Sequence, residues 1–270
     1  RSVNQDAEFI YWMWFGWELY NRLWETPAPD APKPPEPPSK AAVFTQTLTL
    51  IQQRMPEPWA VTTSFDEHIQ VTDELGLTAR RLFNPYGLVE LEPAFPLTNF
   101  APATFRDRFG GYSPARFGQG AMANSQTHAV QLPHAYLFAH YARGGKAEGV
   151  DLPAFAARLI PGAGEAIALA WEAIGSGQPG AQRAAAEALR PLVGRAHRTG
   201  DCAGLLFGDP DRFLVDLIYS LQIHAALTEF QAAAEGGPAA ARGALRILVP
   251  QVRVQLQRTG FNDAYCDDRL

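Results

Sequence analysis

Between Arg106 and Lys146 five cations, Arg106, Arg108, Arg116, Arg143 and Lys146, share a segment whose only acid is Asp107, so the segment carries +4 in a chain of net charge −5. Three of the six histidines, His128, His134 and His140, fall inside it, together with the run Asn124-Ser-Gln-Thr-His128 and with Tyr112, Tyr136 and Tyr141. Arginine forks onto carboxylate or phosphate, and histidine and tyrosine move protons near neutral pH. These residue types are what an acidic ligand requires. Arg106, Arg108, Arg116, Asn124 and Gln126 are the expected substrate-binding residues, with His128, Tyr112 and Tyr136 as the expected proton carriers.

Other chemistries fit the same residues less well. His134 and His140 are six positions apart, about 240° round a helix, so one helix cannot aim both at a single ion. No nearby carboxylate completes a ligand set, and no metal or other cofactor is expected. His224, in the longest apolar helix, offers one haem-ligand position, against the commoner role of a hydrogen-bonded core histidine. Acid-catalysed hydrolysis needs two carboxylates. The available pairs, Glu90 with Glu92 and Asp66 with Glu67, read more simply as solvated residues and as a helix start. Phosphate-loop, nucleophile-elbow, HExxH and EF-hand patterns are absent from the sequence.

Two classes of function follow, with a helical haem protein as a third. In the first, the arginines and Asn124 neutralise a substrate carboxylate while His128 or a tyrosine removes or returns a proton. That is the chemistry of β-elimination on uronic acids, and helical toroids that cleave acidic polysaccharides use similar residue types. A lyase or hydrolase acting on an acidic small molecule or saccharide is therefore expected. In the second, the protein is a non-catalytic helical subunit that docks in a larger assembly. Its contact surface is the aromatic run of residues 9–24, which takes a protein partner or a second copy.

The elements that must position these residues come from composition and periodicity. A chain of 270 residues with 47% hydrophobic and 19% charged residues suits one large globular domain or two small ones. Its negative charge argues against a nucleic-acid partner. The longest apolar run, Phe9 to Trp17, is well short of the ~20 residues that a membrane-spanning helix needs. Continued to Trp24 it reads as an amphipathic aromatic helix over residues 1–25. The two cysteines, Cys202 and Cys266, show no metal-ligand spacing and leave both a disulfide and the compartment open.

Residues 26–39 form a Pro-rich linker, since PAPDAPKPPEPP removes backbone donors and favours an extended strap. Residues 40–270 then read as a single helical domain with an irregular insert at 84–132. Ser39 caps a helix to Arg54, and Ser64-Phe-Asp-Glu67 has capping-box spacing with Gly76 as the stop. Prolines and glycines break up residues 84–128, while six aromatic residues from Phe95 to Phe117 argue that this segment is functional rather than disordered. Beyond it, helices are expected after Pro133, from Asp151 to Ile160, from Glu165 to Ile174, from Ala181 to His197 with a kink at Pro191, and from Pro210 to Glu235. A last helix begins near Ala239, where the alternation in residues 251–257 makes strand a rival. The resulting fold class is all-α: antiparallel helical hairpins, as a bundle or an α/α toroid, carrying a long irregular loop.

Overall fold

The structure, a computed structural model, describes residues 9–13, 39–85, 88–89, 97–109, 118–125, 128–195, 200–206 and 208–259, without the side chains at 40, 128, 129 and 259. The chain divides into two compact units. One comprises Arg1–Tyr86 and Gly110–Ala123, the other Gly87–Phe109 and Asn124–Leu270.

The first unit corrects the all-α expectation, because it is built on a parallel sheet. Strands β1 (Phe9–Tyr11), β2 (Trp59–Thr63), β3 (Arg81–Phe83) and β4 (Gly120–Ala121) lie in the order β1-β2-β3-β4, every pair parallel. All five residues of β2 are buried. A strand covered on both faces shows no polar alternation, and three of the four strands have three residues or fewer, so no period-2 pattern marks them in the sequence. Residues 9–11 are strand where the aromatic run reads as helix. The rest of that run and the Pro-rich segment lie outside the described residues.

Helices α1 (Lys40–Arg54) and α2 (Asp66–Glu74) accompany the sheet. Ser39 Oγ accepts from the Ala42 amide, which satisfies one of the free donors at the start of α1. Phe44 and Leu48, one helical turn apart, join Trp59, Val61, Val71, Leu77 and Met13 in this unit's core. The expected capping box does not form at α2. Its N-cap is Phe65 with no side-chain cap bond, and Glu67 is exposed. His68 does the tying instead: its Nδ1 accepts from the Ser64 amide at 3.1 Å, and its ring stands edge-on to Phe44 and Phe65. Arg81, only 1% exposed, donates to Thr72 Oγ1 at 2.6 Å and to the Ile69 carbonyl at 2.7 Å, and pairs with Asp73. A buried guanidinium is tolerable here because its donors are met.

The second unit is helical among its described residues: α3 (Pro102–Phe109), α4 (His128–Ala142), α5 (Leu152–Leu159), α6 (Gly164–Ser176), α7 (Pro179–Leu189), α8 (Pro210–Glu235) and α9 (Pro238–Thr259). Asp151 and Asp209 cap α5 and α8 by accepting from Ala154 and Arg212 amides. Helix α7 stops at Leu189 and passes into a 3₁₀ turn, Arg190–Leu192, because Pro191 has no amide to continue the ladder. Residues 251–257 are helical: Leu248, Val252 and the buried Gln255 recur at helical spacing, and Leu248 and Val252 pack with Ile223 and Ala226 of α8. Helix α4 starts at His128, earlier than Pro133 implies, and holds Pro133 within it.

Two histidines pin the irregular segment of this unit to its helices. His134 Nε2 accepts from the Ala101 amide at 3.0 Å while its Nδ1–H donates to the Val89 carbonyl at 3.1 Å. His224 Nε2–H donates to the Thr98 carbonyl at 2.8 Å, and the Thr98 amide donates to Ser220 Oγ. Backbone without secondary structure must find partners when it is buried, and these side chains supply them.

Candidate functional site

Helix α4 places Leu132, Ala135, Tyr136, Ala139 and His140 at spacings of three and four residues, which brings them onto one face, and Arg143, in the turn just past the helix end, continues it. That face lines a cavity of about 700 Å³ in the helical unit. Ala154, Phe155 and Arg158 of α5, the turn at Cys202 and Leu205, and Ser125, Gly145 and Asp151 complete its lining. The walls are mainly apolar, with a few polar groups set among them, as is usual for small-molecule sites.

Each polar group has a defined state. Tyr136 stacks on Phe155, and its hydroxyl accepts from the Asp151 amide at 3.0 Å, so the phenolic proton is left to donate elsewhere. His140 Nε2 lies 2.8 Å from the Lys146 carbonyl. A carbonyl only accepts, so Nε2 carries the hydrogen and Nδ1 holds the lone pair when the ring is neutral. Arg158 forks onto Asp201 with three contacts of 2.8 to 3.0 Å. This pairing holds the Asp201 carboxyl below its ordinary range and commits the guanidinium. Arg143 is exposed and has no ion pair among the described residues. Among the described residues it is the cation of the cleft that no carboxylate pairs with. Ser125 donates to Gln131 Oε1 at 2.5 Å, which anchors the entry to α4.

His134 and His224 are structural. His134 is 1% exposed with both ring nitrogens bonded, and burial lowers its pKa to about 4. Burial lowers that of His224 too, and its Nε2 is occupied by the Thr98 carbonyl rather than open to a haem iron. Among the described residues no group of three or more His, Cys, Asp or Glu side chains is arranged to hold a metal ion. Likewise, no described helix is long and apolar enough to cross a membrane.

Of the residues expected from sequence, Tyr136 lies in the cleft. Arg106 and Arg108 are exposed on α3 and do not line it; Arg106 has Asp107 beside it at 3.6 Å. Asn124 is half-buried, next to the lining residue Ser125, and its Oδ1 has no hydrogen-bond partner among the described residues. Tyr112, Arg116, Gln126 and the His128 side chain lie outside the described residues. His140 and Arg143 belong to the same basic segment and lie outside the expected site set, although their spacing of four and seven residues from Tyr136 is the available signal. Phe155, Arg158 and Cys202 come from distant sequence, and nothing local marks them. Cys202 is a half-buried free thiol, and Cys266 lies outside the described residues. No protein-family model matches the chain, and neither a curated protein nor a solved structure is significantly similar to it.

Proposed function

We propose that the protein is an enzyme acting on an acidic substrate in the cleft between α4 and α5, with uronic-acid-containing saccharides as the substrate class and β-elimination as the reaction. The observation that carries this reading is that Tyr136 and His140 of α4 and Arg143 of the turn after it all line one cavity. Arg143 neutralises the substrate carboxylate, which acidifies the adjacent C–H bond. His140 Nδ1 takes that proton. Tyr136 gives its phenolic proton to the departing glycosidic oxygen as the C–O bond breaks and the C=C bond forms. A proton passed from the imidazolium back to the tyrosinate restores the site. Asn124 serves as a ligand for substrate hydroxyls, and the apolar wall takes the face of the sugar ring. The stacking of α5, α6, α7, α8 and α9 as antiparallel hairpins belongs to the same reading. It is supported by the packing of successive helices across the short connections at 160–163, 177–178 and 236–237.

Incubation with oligogalacturonate or oligoglucuronate tests this, with the ultraviolet absorbance of the new conjugated double bond as readout. Turnover by the wild type and a fall of ~10²-fold or more in Tyr136→Phe, His140→Gln and Arg143→Ala are expected. Absence of both turnover and calorimetric binding of these saccharides would sink the proposal.

A second reading, the non-catalytic subunit, is favoured by one observation. Among the described strands β1 lies at an edge, and Phe9, Ile10 and Trp12 on or beside it are 41 to 46% exposed. An apolar edge invites pairing with another chain. Sedimentation of the wild type against Ile10→Lys tests it: a monomer in both cases, with no captured partner competed by the variant, removes this reading.

A further inference from the structure

The turn that follows α4 lies against the His140 ring. A Cβ built on Gly145 would lie 2.4 Å from His140 Nε2 and 2.6 Å from Cδ2, and one on Gly149 would lie 3.1 Å from Cε1. A methyl group at 145 would overlap the imidazole, so alanine there must push the ring out of this position. The turn is itself held to the helix end: the Gly145 amide donates to the His140 carbonyl at 3.0 Å, and the Gly144 amide to the Tyr141 carbonyl at 2.9 Å. Gly144 adopts φ +80°, the left-handed conformation that ends helices and that glycine adopts without strain. The Lys146 carbonyl that receives His140 Nε2–H also accepts from the Gly149 amide at 3.0 Å, through the 3₁₀ turn Ala147–Gly149. That carbonyl is therefore fixed in direction before the imidazole meets it. Across the ring, Tyr141 stands edge-on at 5.5 Å.

We infer that residues 144–149 form a positioning device for His140, in which Gly145 and the Lys146 carbonyl lock the ring in its Nε2–H tautomer and make Nδ1 the nitrogen that exchanges protons in the cleft. The inference deepens the reading of the cleft as a proton-transfer site and rests on it for its functional meaning, although the lock itself is a property of the ligand-free protein. Gly145 is a positioning residue that acts through His140. A ring held by one donated hydrogen bond against a wall of backbone cannot rotate to exchange the roles of its two nitrogens.

Long-range proton–nitrogen correlation spectra of the protein labelled with ¹⁵N-histidine test this above the titration of the ring, His140 being assigned by the loss of its signals in His140→Gln. The expected result is a single Nε2–H tautomer, a slowly exchanging Nε2 proton, and a correlation across the hydrogen bond to a ¹³C-labelled Lys146 carbonyl. Gly145→Ala should abolish that correlation, give averaged nitrogen shifts, and lower kcat on an oligouronate on the order of 10²-fold with KM little changed. Should Gly145→Ala not fold, Gly149→Ala, which meets the ring at the milder 3.1 Å, should shift the same signals in the same direction. An Nδ1–H tautomer in the wild type, a rapidly exchanging mixture, or signals unmoved in both folded variants overturns the inference. A wild type with the expected spectrum and no turnover on any uronate would instead count against the lyase reading and leave the lock standing.

Discussion

Tyr136 and Phe155 lie face to face, ring centroids 4.5 Å apart and planes inclined by 11°, and Phe155 in turn stacks towards the buried Trp171 at 6.0 Å. The pair joins α4 to α5, and the Asp151 amide that donates to the Tyr136 hydroxyl belongs to the residue that caps α5. One residue on each helix thus fixes both the spacing of the cleft and the orientation of its phenol.

Phe155→Ala should therefore lower the stability of the helical unit by roughly 2–3 kcal/mol, somewhat below the cost for a fully buried phenylalanine because Phe155 is only half-buried. Tyr136→Phe keeps the stack and loses one hydrogen bond, a cost of about 1 kcal/mol. Urea denaturation followed by circular dichroism orders the two. If Tyr136→Phe proves as damaging as Phe155→Ala, the hydroxyl rather than the ring holds α5 in place.

A pH effect follows from His134. Its folded pKa, about 4, lies below the unfolded value of about 6.5. Above pH 6.5 the ring is neutral in both states and contributes no pH dependence. As pH falls from 6.5 towards 4 the unfolded chain binds a proton that the folded one refuses, so stability declines, by ~3 kcal/mol once pH is below the folded value. The lowered pKa of His224 acts in the same direction. Unfolding midpoints at pH 7 and pH 4.5 should differ more for the wild type than for His134→Gln. Equal pH sensitivity of the two proteins would mean that His134 is not buried in the neutral form.

How much of this was legible in the sequence depends on whether the cause is local. Ser39, Asp151 and Asp209 act within one helical turn, so each cap could be placed from residue type and spacing alone. The basic segment around α4 was legible for the same reason, because charge and helical spacing are properties of neighbours. Strand β3 was not: it carries Arg81, and that residue is buried only because Thr72, Asp73 and the Ile69 carbonyl come to meet it. Ser64-Phe-Asp-Glu67 misled because the tertiary contacts of His68 with Phe44 and Phe65 supplied a better partner for the Ser64 amide than a capping side chain. Arg158 and Asp201 are 43 residues apart, and only the folded chain makes them a pair.

Arg81 gives a graded test of the first unit. Arg81→Met leaves the Ile69 carbonyl and Thr72 hydroxyl short of a donor and should cost ~3 kcal/mol. Arg81→Lys retains the charge but not the fork, and falls between. Asp73→Asn should cost ~1 kcal/mol or less, since the Asp73 side chain is 56% exposed and its charge is screened by solvent. Thermal melts of the three variants establish the order. A larger loss for Asp73→Asn than for Arg81→Lys would show that the ion pair, not the hydrogen-bonded fork, holds β3 to α2.

Two glycines separate backbone conformation from space. Both Gly118 and Gly177 have positive φ, +83° and +64°. A Cβ at Gly177, the C-cap of α6, meets nothing within 4 Å, so Gly177→Ala carries only the conformational cost of about 1 kcal/mol. At Gly118 the same atom would fall 2.6 Å from the Thr78 carbonyl oxygen and 2.7 Å from that of Arg81, both backbone atoms that cannot swing aside. Gly118 also precedes Gln119, whose amide donates to the Arg81 carbonyl at 2.8 Å as the chain enters β4. Gly118→Ala must therefore either displace β4 from β3 or distort the turn at Thr78, and should cost at least ~2 kcal/mol more than Gly177→Ala. Denaturant midpoints of the two variants decide it: equal losses would mean that the approach of Gly118 to β3 relaxes freely and that β4 is not held where the register of Leu82 with Gly120 places it.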